Sequence, residues 1–477
     1  MPDPKPLAGY TSYKVLPQLA GLCSVEDAAK PGLSVEECVR RLKRFHYAFR
    51  RLHHLLTARI TAEPIYELKT AFAHHAHLCA EHATALRTRI GEMREPPLGL
   101  EDVPHPALEA FFDEILNAPT TDELVDGVYT NAIHALTTGI DSYLSETNPL
   151  TDAPTRRVLK FARIEIEEMR DCGQEAVAAL GAKPYPDWGQ TLTQLLHASG
   201  GLDGTAESPP VATGGLRRRY STAPFQYDPV PRRDERFTDP WNQGVNAEAF
   251  LYDEAKPARA KALMMLYKRL REIDVPEMMA SIITQTPGKP WGYYRDMSRQ
   301  LWDEARHAMM GEVGFVALGV DWTQARVTFN WSYRLNTECS PMERHGVLYF
   351  IEQGLMPRTG KRYEFEVARE SGLPLMATIQ DFDWADEVLH SQIGRQWYVP
   401  EFGSLKEALD YGDKAWSAVL SNWTTVKEQG LTEHANWWPT IYSQACAAEG
   451  VSPDPDVLAF ATTYEGTRAD LQRVAGE

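Results

Sequence analysis

The chain has 477 residues, a formal net charge of -17 and a pI near 5.4. That length allows two or three domains, each with a core of its own, and the acidic balance argues against a nucleic-acid or anionic-membrane surface. The six cysteines lie far apart with no Cys-x-x-Cys pair, no apolar run approaches the about 18 residues that span a bilayer, and the first residues lack signal-peptide blocks. The expectation is therefore a cytoplasmic protein with reduced thiols, with neither nucleic acid nor membrane as partner.

In chain order, 3.6-residue periodicity with Pro and Gly between the periodic segments predicts an all-α fold. Residues 1–203 read as an N-terminal helical domain, with helices near 34–60, 64–94, 107–117, 121–146 and 153–181. Thr151 or Asp152 is the expected cap of the last, ahead of Pro154. Residues 204–245, rich in Pro, Gly and Arg, read as an inter-domain linker. Residues 246–400 form a second helical domain, with helices near 257–286, 291–318, 333–355, 361–371 and 374–398. A C-terminal helical extension of about three helices, rich in Trp and Ala, covers 401–477.

The second domain carries Asp-Glu-x-x-His twice, as Asp303-Glu304-Ala305-Arg306-His307 and Asp386-Glu387-Val388-Leu389-His390. Glu and His three residues apart project from one face of a helix, about one turn apart. With this composition roughly one Glu-x-x-His arises by chance, so one copy is a weak signal. Two copies that both carry the preceding Asp have a chance expectation under about a tenth. Two such helices, joined by one Glu from each of two more, make the ligand set of a dinuclear metal site in a four-helix bundle.

The additional glutamates must come from the helices before each motif. Arg271-Glu272-Ile273-Asp274-Val275-Pro276-Glu277 resembles Thr337-Glu338-Cys339-Ser340-Pro341-Met342-Glu343, as if one helix pair were repeated. That match favours Glu277 and Glu343, with Glu272 the rival on the first helix; Glu352 reads as too close to its helix end. The expected metal ligands are thus Glu277, Glu304, His307, Glu343, Glu387 and His390. Asp303 and Asp386 would each accept the ring N–H of the histidine on the opposite motif helix. Four carboxylates and two imidazoles suit two divalent first-row ions, iron or manganese better than zinc.

These motifs resemble those of the ferritin-like superfamily of dimetal-carboxylate proteins, which includes ribonucleotide reductase small subunits and rubrerythrins. Trp302–Ala308, Met342–Gly346 and Asp386–Trp397 are similar to stretches of a ferritin-like family of bacterial proteins. The resemblance covers about residues 231–400 and implies a ferritin-like four-helix bundle with a diiron centre that meets O2. Glu304 and Glu387 would be bridging or terminal ligands, and His307 and His390 terminal. The N-terminal domain could be a degenerate copy: Glu63-Pro64-Ile65-Tyr66-Glu67 and Ile164-Glu165-Ile166-Glu167-Glu168 sit in comparable places without any Glu-x-x-His. A second metal site there and an unrelated bundle stay open.

The expected function is O2-dependent oxidation of a small organic substrate by a diiron enzyme, with room for a homodimer and an external electron donor. Two alternatives stand beside it: a ferroxidase, peroxidase or manganese-catalase-like protein, and a non-catalytic metal-binding scaffold. Ala308, Gly311, Gly346 and Gly394 could leave space for O2 and substrate, and close helix packing would explain them equally well.

Overall fold

The computed structural model describes residues 9–94, 99–181, 185–207, 217–421 and 425–464. Its secondary structure is 68% helix, with no strand among the described residues, so the chain is all-α. No described helix is long and apolar enough to cross a membrane, and the six cysteines are unpaired.

The chain divides into two compact units, 1–56 with 75–226 and 57–74 with 227–477. The boundaries differ from the sequence reading in two ways. The tip of the first helical hairpin, 57–74, belongs to the second unit, and the stretch read as a linker is divided between the two units. Its described residues through Gln226 belong to the first unit and those from Tyr227 to the second. The segment is held by specific bonds. The backbone N–H groups of Arg219, Tyr220 and Ser221 donate to Glu114, and the Tyr227 hydroxyl bonds Thr61 and Ser281. Residues 208–216 of that stretch lie outside the described residues.

In the first unit, helices α1 (Val35–Arg59) and α2 (Tyr66–Glu92) begin and end as the periodicity predicts, within a few residues. They are followed by α3 (Pro106–Leu116), α4 (His134–Glu146), α5 (Ala153–Leu180) and α6 (Pro186–Ala198), the last unanticipated. The expected 121–146 helix is interrupted by a π-helical stretch, Asp126–Ile133. Tyr129 on that stretch lies against Gly173, where a Cβ would sit 2.1 Å from the ring. Asp152 occupies the cap position of α5, but its carboxylate does not cap the helix; it accepts instead from Tyr143 and Thr147.

The second unit contains α7 (Ala258–Arg271), α8 (Asp274–Thr284), α9 (Trp291–Ala317), α10 (Asn330–Glu338), α11 (Pro341–Gly354), α12 (Lys361–Glu370), α13 (Pro374–Trp397), α14 (Leu405–Ser421) and α15 (Trp438–Glu449). Two helices expected to be continuous are each broken. Pro276 has no N–H to donate to the carbonyl of Glu272, and the helix turns at Glu272-Ile273. Pro341 interrupts the other, and Ser340 restarts it with a capping box completed by Glu343.

Helix α9 packs on α7, α8 and α13, while α13 packs on α11 and α12, and α8 on α11. The result is a helical bundle with the two motif helices side by side. Leu263, Met264, Leu266 and Leu270 of α7 form its apolar core with Phe250, Phe315, Met376 and Trp438. Gly311 of α9 lets the backbones approach, since a Cβ there would lie 2.3 Å from the Leu270 nitrogen. Gly394 of α13 is covered by the Tyr349 ring. These glycines serve close packing, and none of them lines the cavity described below.

Candidate metal centre

Spacing along α9 and α13 places Gln300, Glu304 and His307 on one helix face, and Asp383, Glu387 and His390 on another, at i, i+4 and i+7. Both faces turn inward. Glu304, His307, Glu387 and His390 are at most 2% exposed. The bundle thus brings together the four motif residues that sequence reasoning selected.

Each histidine is fixed from behind. Nε2 of His307 lies 3.1 Å from Asp386, and Nε2 of His390 lies 3.3 Å from Asp303, so each ring donates to the aspartate of the opposite helix. This is the crossed pairing expected from the sequence. Arg299 and Arg306 brace the aspartates, with Arg306 reaching Asp303 at 2.5 Å and Asp386 at 2.7 Å. Burial opposes charge on Asp303, but His390, Arg306 and Arg299 hold its carboxyl below the usual range.

With Nε2 donating, Nδ1 of each ring turns to the centre. His307 Nδ1 lies 3.5 Å from Glu272 and from Glu304, and 3.6 Å from Asp383. His390 Nδ1 lies 3.2 Å from Glu304, 3.5 Å from Glu387 and 3.9 Å from Glu352. Glu304 faces His307 with one oxygen and His390 with the other. Two groups of potential ligands result, Glu272/His307/Asp383/Glu387 and Glu304/Glu352/Glu387/His390. Within each group the ligand atoms lie within 4.8 Å of one another. Both groups lie in the second unit and share Glu387.

The residues fit a metal ion on a specific ground. His307 Nδ1, His390 Nδ1, Glu272 Oε2, Glu352 Oε2 and Glu387 Oε2 are all buried without a hydrogen-bond partner. Five orphaned lone-pair donors at one point are costly in an apolar bundle unless a cation or protons compensate them. Without a cation, burial first and Glu387 second push the Glu352 carboxyl well above its ordinary range. Burial opposes charge on Glu387 too, but Lys361 outweighs it and holds that carboxyl well below. Burial opposes charge on Glu304, which the two histidines nevertheless hold down to about 2.

Two expected ligands lie elsewhere. Glu277 is buried in a separate charge cluster, accepting from Lys69 at 2.5 Å, from Arg233 at 3.0 and 3.2 Å and from Ser332 at 2.8 Å. Its lone pairs are already used. Glu343 caps α11, accepting from the Ser340 N–H at 2.7 Å on the exposed side of that helix end. The carboxylates that face the two histidines from the α7–α8 break and from α11 are Glu272 and Glu352. The apparent repeat therefore aligned two proline-broken helix starts and did not locate the carboxylates.

Sequence reasoning also missed Gln300, which donates to Glu352 at 3.1 Å, and Asp383 and Lys361. Asp383 could have been found, because it lies one helical turn before Glu387 on the same face. No sequence signal points to Lys361.

A cavity of about 260 Å³ opens onto the cluster, lined there by Glu272, Glu304, Glu352 and Glu387 and elsewhere by apolar side chains such as Met278, Leu335, Leu348, Ile351 and Trp416 together with the charged Glu248, Lys268, Arg269 and Arg271. Asp274 also lines it, with Oδ1 bound to Arg233 and Ser332 and Oδ2 without a partner. Compared with known proteins, the chain matches no family model, no curated protein and no solved structure.

Proposed function

We propose that the second unit is a ferritin-like bundle holding a dinuclear metal centre, most naturally diiron, that oxidises a small organic substrate with O2. The observation that carries this reading is the convergence of five orphaned buried lone-pair donors from α9, α11, α13 and the α7–α8 break. Glu272 and His307 would hold one ion, and Glu352 and His390 the other. Glu304, whose two oxygens face different histidines, and Glu387, which belongs to both groups, would be shared. Four carboxylates balance two divalent ions, so the loaded core is neutral and can stay buried. An all-oxygen and imidazole donor set suits iron or manganese.

When bound, the ions supply redox chemistry with O2, and an external donor supplies any further electrons. The chain does the rest. Asp303 and Asp386 fix the ring orientation and the tautomer, so that Nδ1 of each neutral histidine would carry the lone pair for the ligand role. The apolar cavity excludes water and holds the substrate against the Glu272–Glu352 side of the cluster. Asp274 lies on the same wall, and burial raises its carboxyl to about 7. A cavity this size holds on the order of ten water volumes, which suits a compact, mainly apolar compound.

The test is O2 uptake by anaerobically Fe(II)-loaded protein, with and without candidate apolar compounds carrying one hydroxyl or amine. Uptake coupled to loss of the organic compound supports the reading. Uptake that tracks iron oxidation alone would transfer the protein to the ferroxidase class. No uptake by iron-loaded protein would leave a metal-binding scaffold.

A further inference from the structure

The two ligand groups differ in one respect that their shared chemistry hides. Lys361, the first residue of α12, is 1% exposed and lies inside the first group. Its Nζ is 2.8 Å from Glu387 Oε1, 2.9 Å from both oxygens of Asp383 and 4.0 Å from Glu272. Arg269 adds a second cation, pairing with Glu272 at 2.8 Å and with Asp383. The other group meets Lys361 only through the shared Glu387. Among the described residues, no lysine or arginine forms an ion pair with Glu304 or Glu352, and the side chain in contact with Glu352 is the neutral Gln300 amide.

We propose that the two metal positions are unequal and fill in order, with Lys361 as the built-in competitor for the second. This rests on the dinuclear reading above. The first ion enters among Glu304, Glu352, Glu387 and His390, where Nδ1 of His390 and Oε2 of both Glu352 and Glu387 have no partner. The second, at Glu272 and His307, requires the Lys361 ammonium to give up Glu387 and settle on Asp383, which already accepts from it with both oxygens. Asp383 is thus the retreat that keeps a buried ammonium paired when metal arrives, rather than a ligand. A cation in hydrogen-bond contact with a ligand carboxylate opposes a dication more strongly in a buried site than in water. Lys361 and Asp383 are positioning residues in this scheme.

Calorimetric titration of the metal-free full-length protein with Co(II), followed in parallel by visible absorption of the bound ion, tests it. Wild type should show two steps of one ion each, at least about tenfold apart in affinity. Lys361→Met should tighten the second step by about tenfold or more and leave the first within about threefold; Lys361→Arg should keep two separated steps. Asp383→Asn should act oppositely to Lys361→Met and weaken the second step, a sign change that loss of packing would not give. Helical circular dichroism and melting of each variant show that it is folded, and Lys361→Gln replaces Lys361→Met should the latter not fold. Two equivalent sites in wild type, or an unchanged gap in folded Lys361→Met or its replacement, overturns the ordered filling. Absence of any Co(II) binding overturns the dinuclear reading beneath it.

Discussion

Glu272 and Glu277 are five residues apart, and their isosteric glutamine variants should fail in opposite ways. Glu277 is fully buried and neutralises Lys69 and Arg233, themselves 1% and 3% exposed. Glu277→Gln keeps the shape but removes the carboxylate that Lys69 pairs with and leaves Arg233 paired with Asp274. Removing one partner of a buried ion pair costs about 3–5 kcal/mol, a large part of the about 5–15 kcal/mol that holds a domain folded. At about 2–4 °C per kcal/mol, the second unit should melt roughly 6–20 °C lower, and it should still bind metal. The pH dependence has a defined sign. Burial opposes the Glu277 charge, but Arg233 and Lys69 win and hold its carboxyl at about 2, below its ordinary 4.5. Its contribution is therefore complete above about pH 4.5 and is lost as pH falls toward 2. In Glu277→Gln that acid-labile part of the stability should be missing. Glu272→Gln removes a carboxylate whose Oε2 has no partner and whose Oε1 pairs with Arg269, but Arg269 keeps Asp383 and Glu364, so metal-free melting should fall less than in Glu277→Gln. Metal occupancy should fall, and with it the stabilisation of about 2.7 kcal/mol expected at a metal concentration of 100 Kd. Scanning calorimetry of metal-free and Mn(II)-loaded protein, with metal analysis of the same samples, reads both variants. Full occupancy in Glu272→Gln, or lost metal with unchanged melting in Glu277→Gln, would refute the assignment.

Three further outcomes follow from the same geometry. Glu352→Ala should remove metal from the Glu304/Glu387/His390 position, whereas Glu343→Ala should cost only the roughly 0.5–2 kcal/mol of a capping interaction and leave metal content intact; metal analysis and melting distinguish them. Asp303→Asn and Asp386→Asn should each lower metal affinity by about 10–100-fold, because the ring they orient is freed; a competition titration against a chelator measures this. In the first unit, burial pushes His46 and His53 from 6.5 down to about 3. Their folded forms stay neutral while the unfolded chain takes up protons below about pH 6.5, so stability present above that value is lost as pH falls toward 3, by roughly 2 kcal/mol per histidine at pH 5. Equal melting of the first unit at pH 7 and pH 5 would contradict this.

The helical class was legible because amphipathic periodicity reports burial directly, and α9 and α13 bury the faces that their spacing marks. The paired motif was legible for the same reason, and so were the crossed aspartates, since Asp303 and Asp386 sit one residue off the ligand face and must point to the neighbouring helix. The remaining carboxylates were not, because they depend on where each helix stops. Glu304 lies about thirteen residues into α9, and Glu272 about twelve before the end of α8 at Thr284, so equal distance from the turn selects Glu272 over Glu277. That rule fails for Glu352, because α12 is inserted between α11 and α13 and no tight turn fixes their relative height. Glu352 follows the apolar run Leu348-Tyr349-Phe350-Ile351, and a carboxylate there was the available signal. The repeat of a proline shortly before a glutamate drew attention to helix starts, where Glu343 has an ordinary capping role. Lys361 had no sequence signature, since its place among the carboxylates is set by the packing of α12 on α7 and α13.

The central claim is that α9 and α13, with Glu272 and Glu352, hold two metal ions. It is tested most directly by the metal content of protein reconstituted anaerobically with Fe(II) and freed of loosely bound ions, for wild type beside Glu304→Ala and His390→Ala. The expected result is about two ions per chain in wild type and a clear loss in each variant. Wild-type protein that retains no metal, or variants that retain as much as wild type, would contradict it.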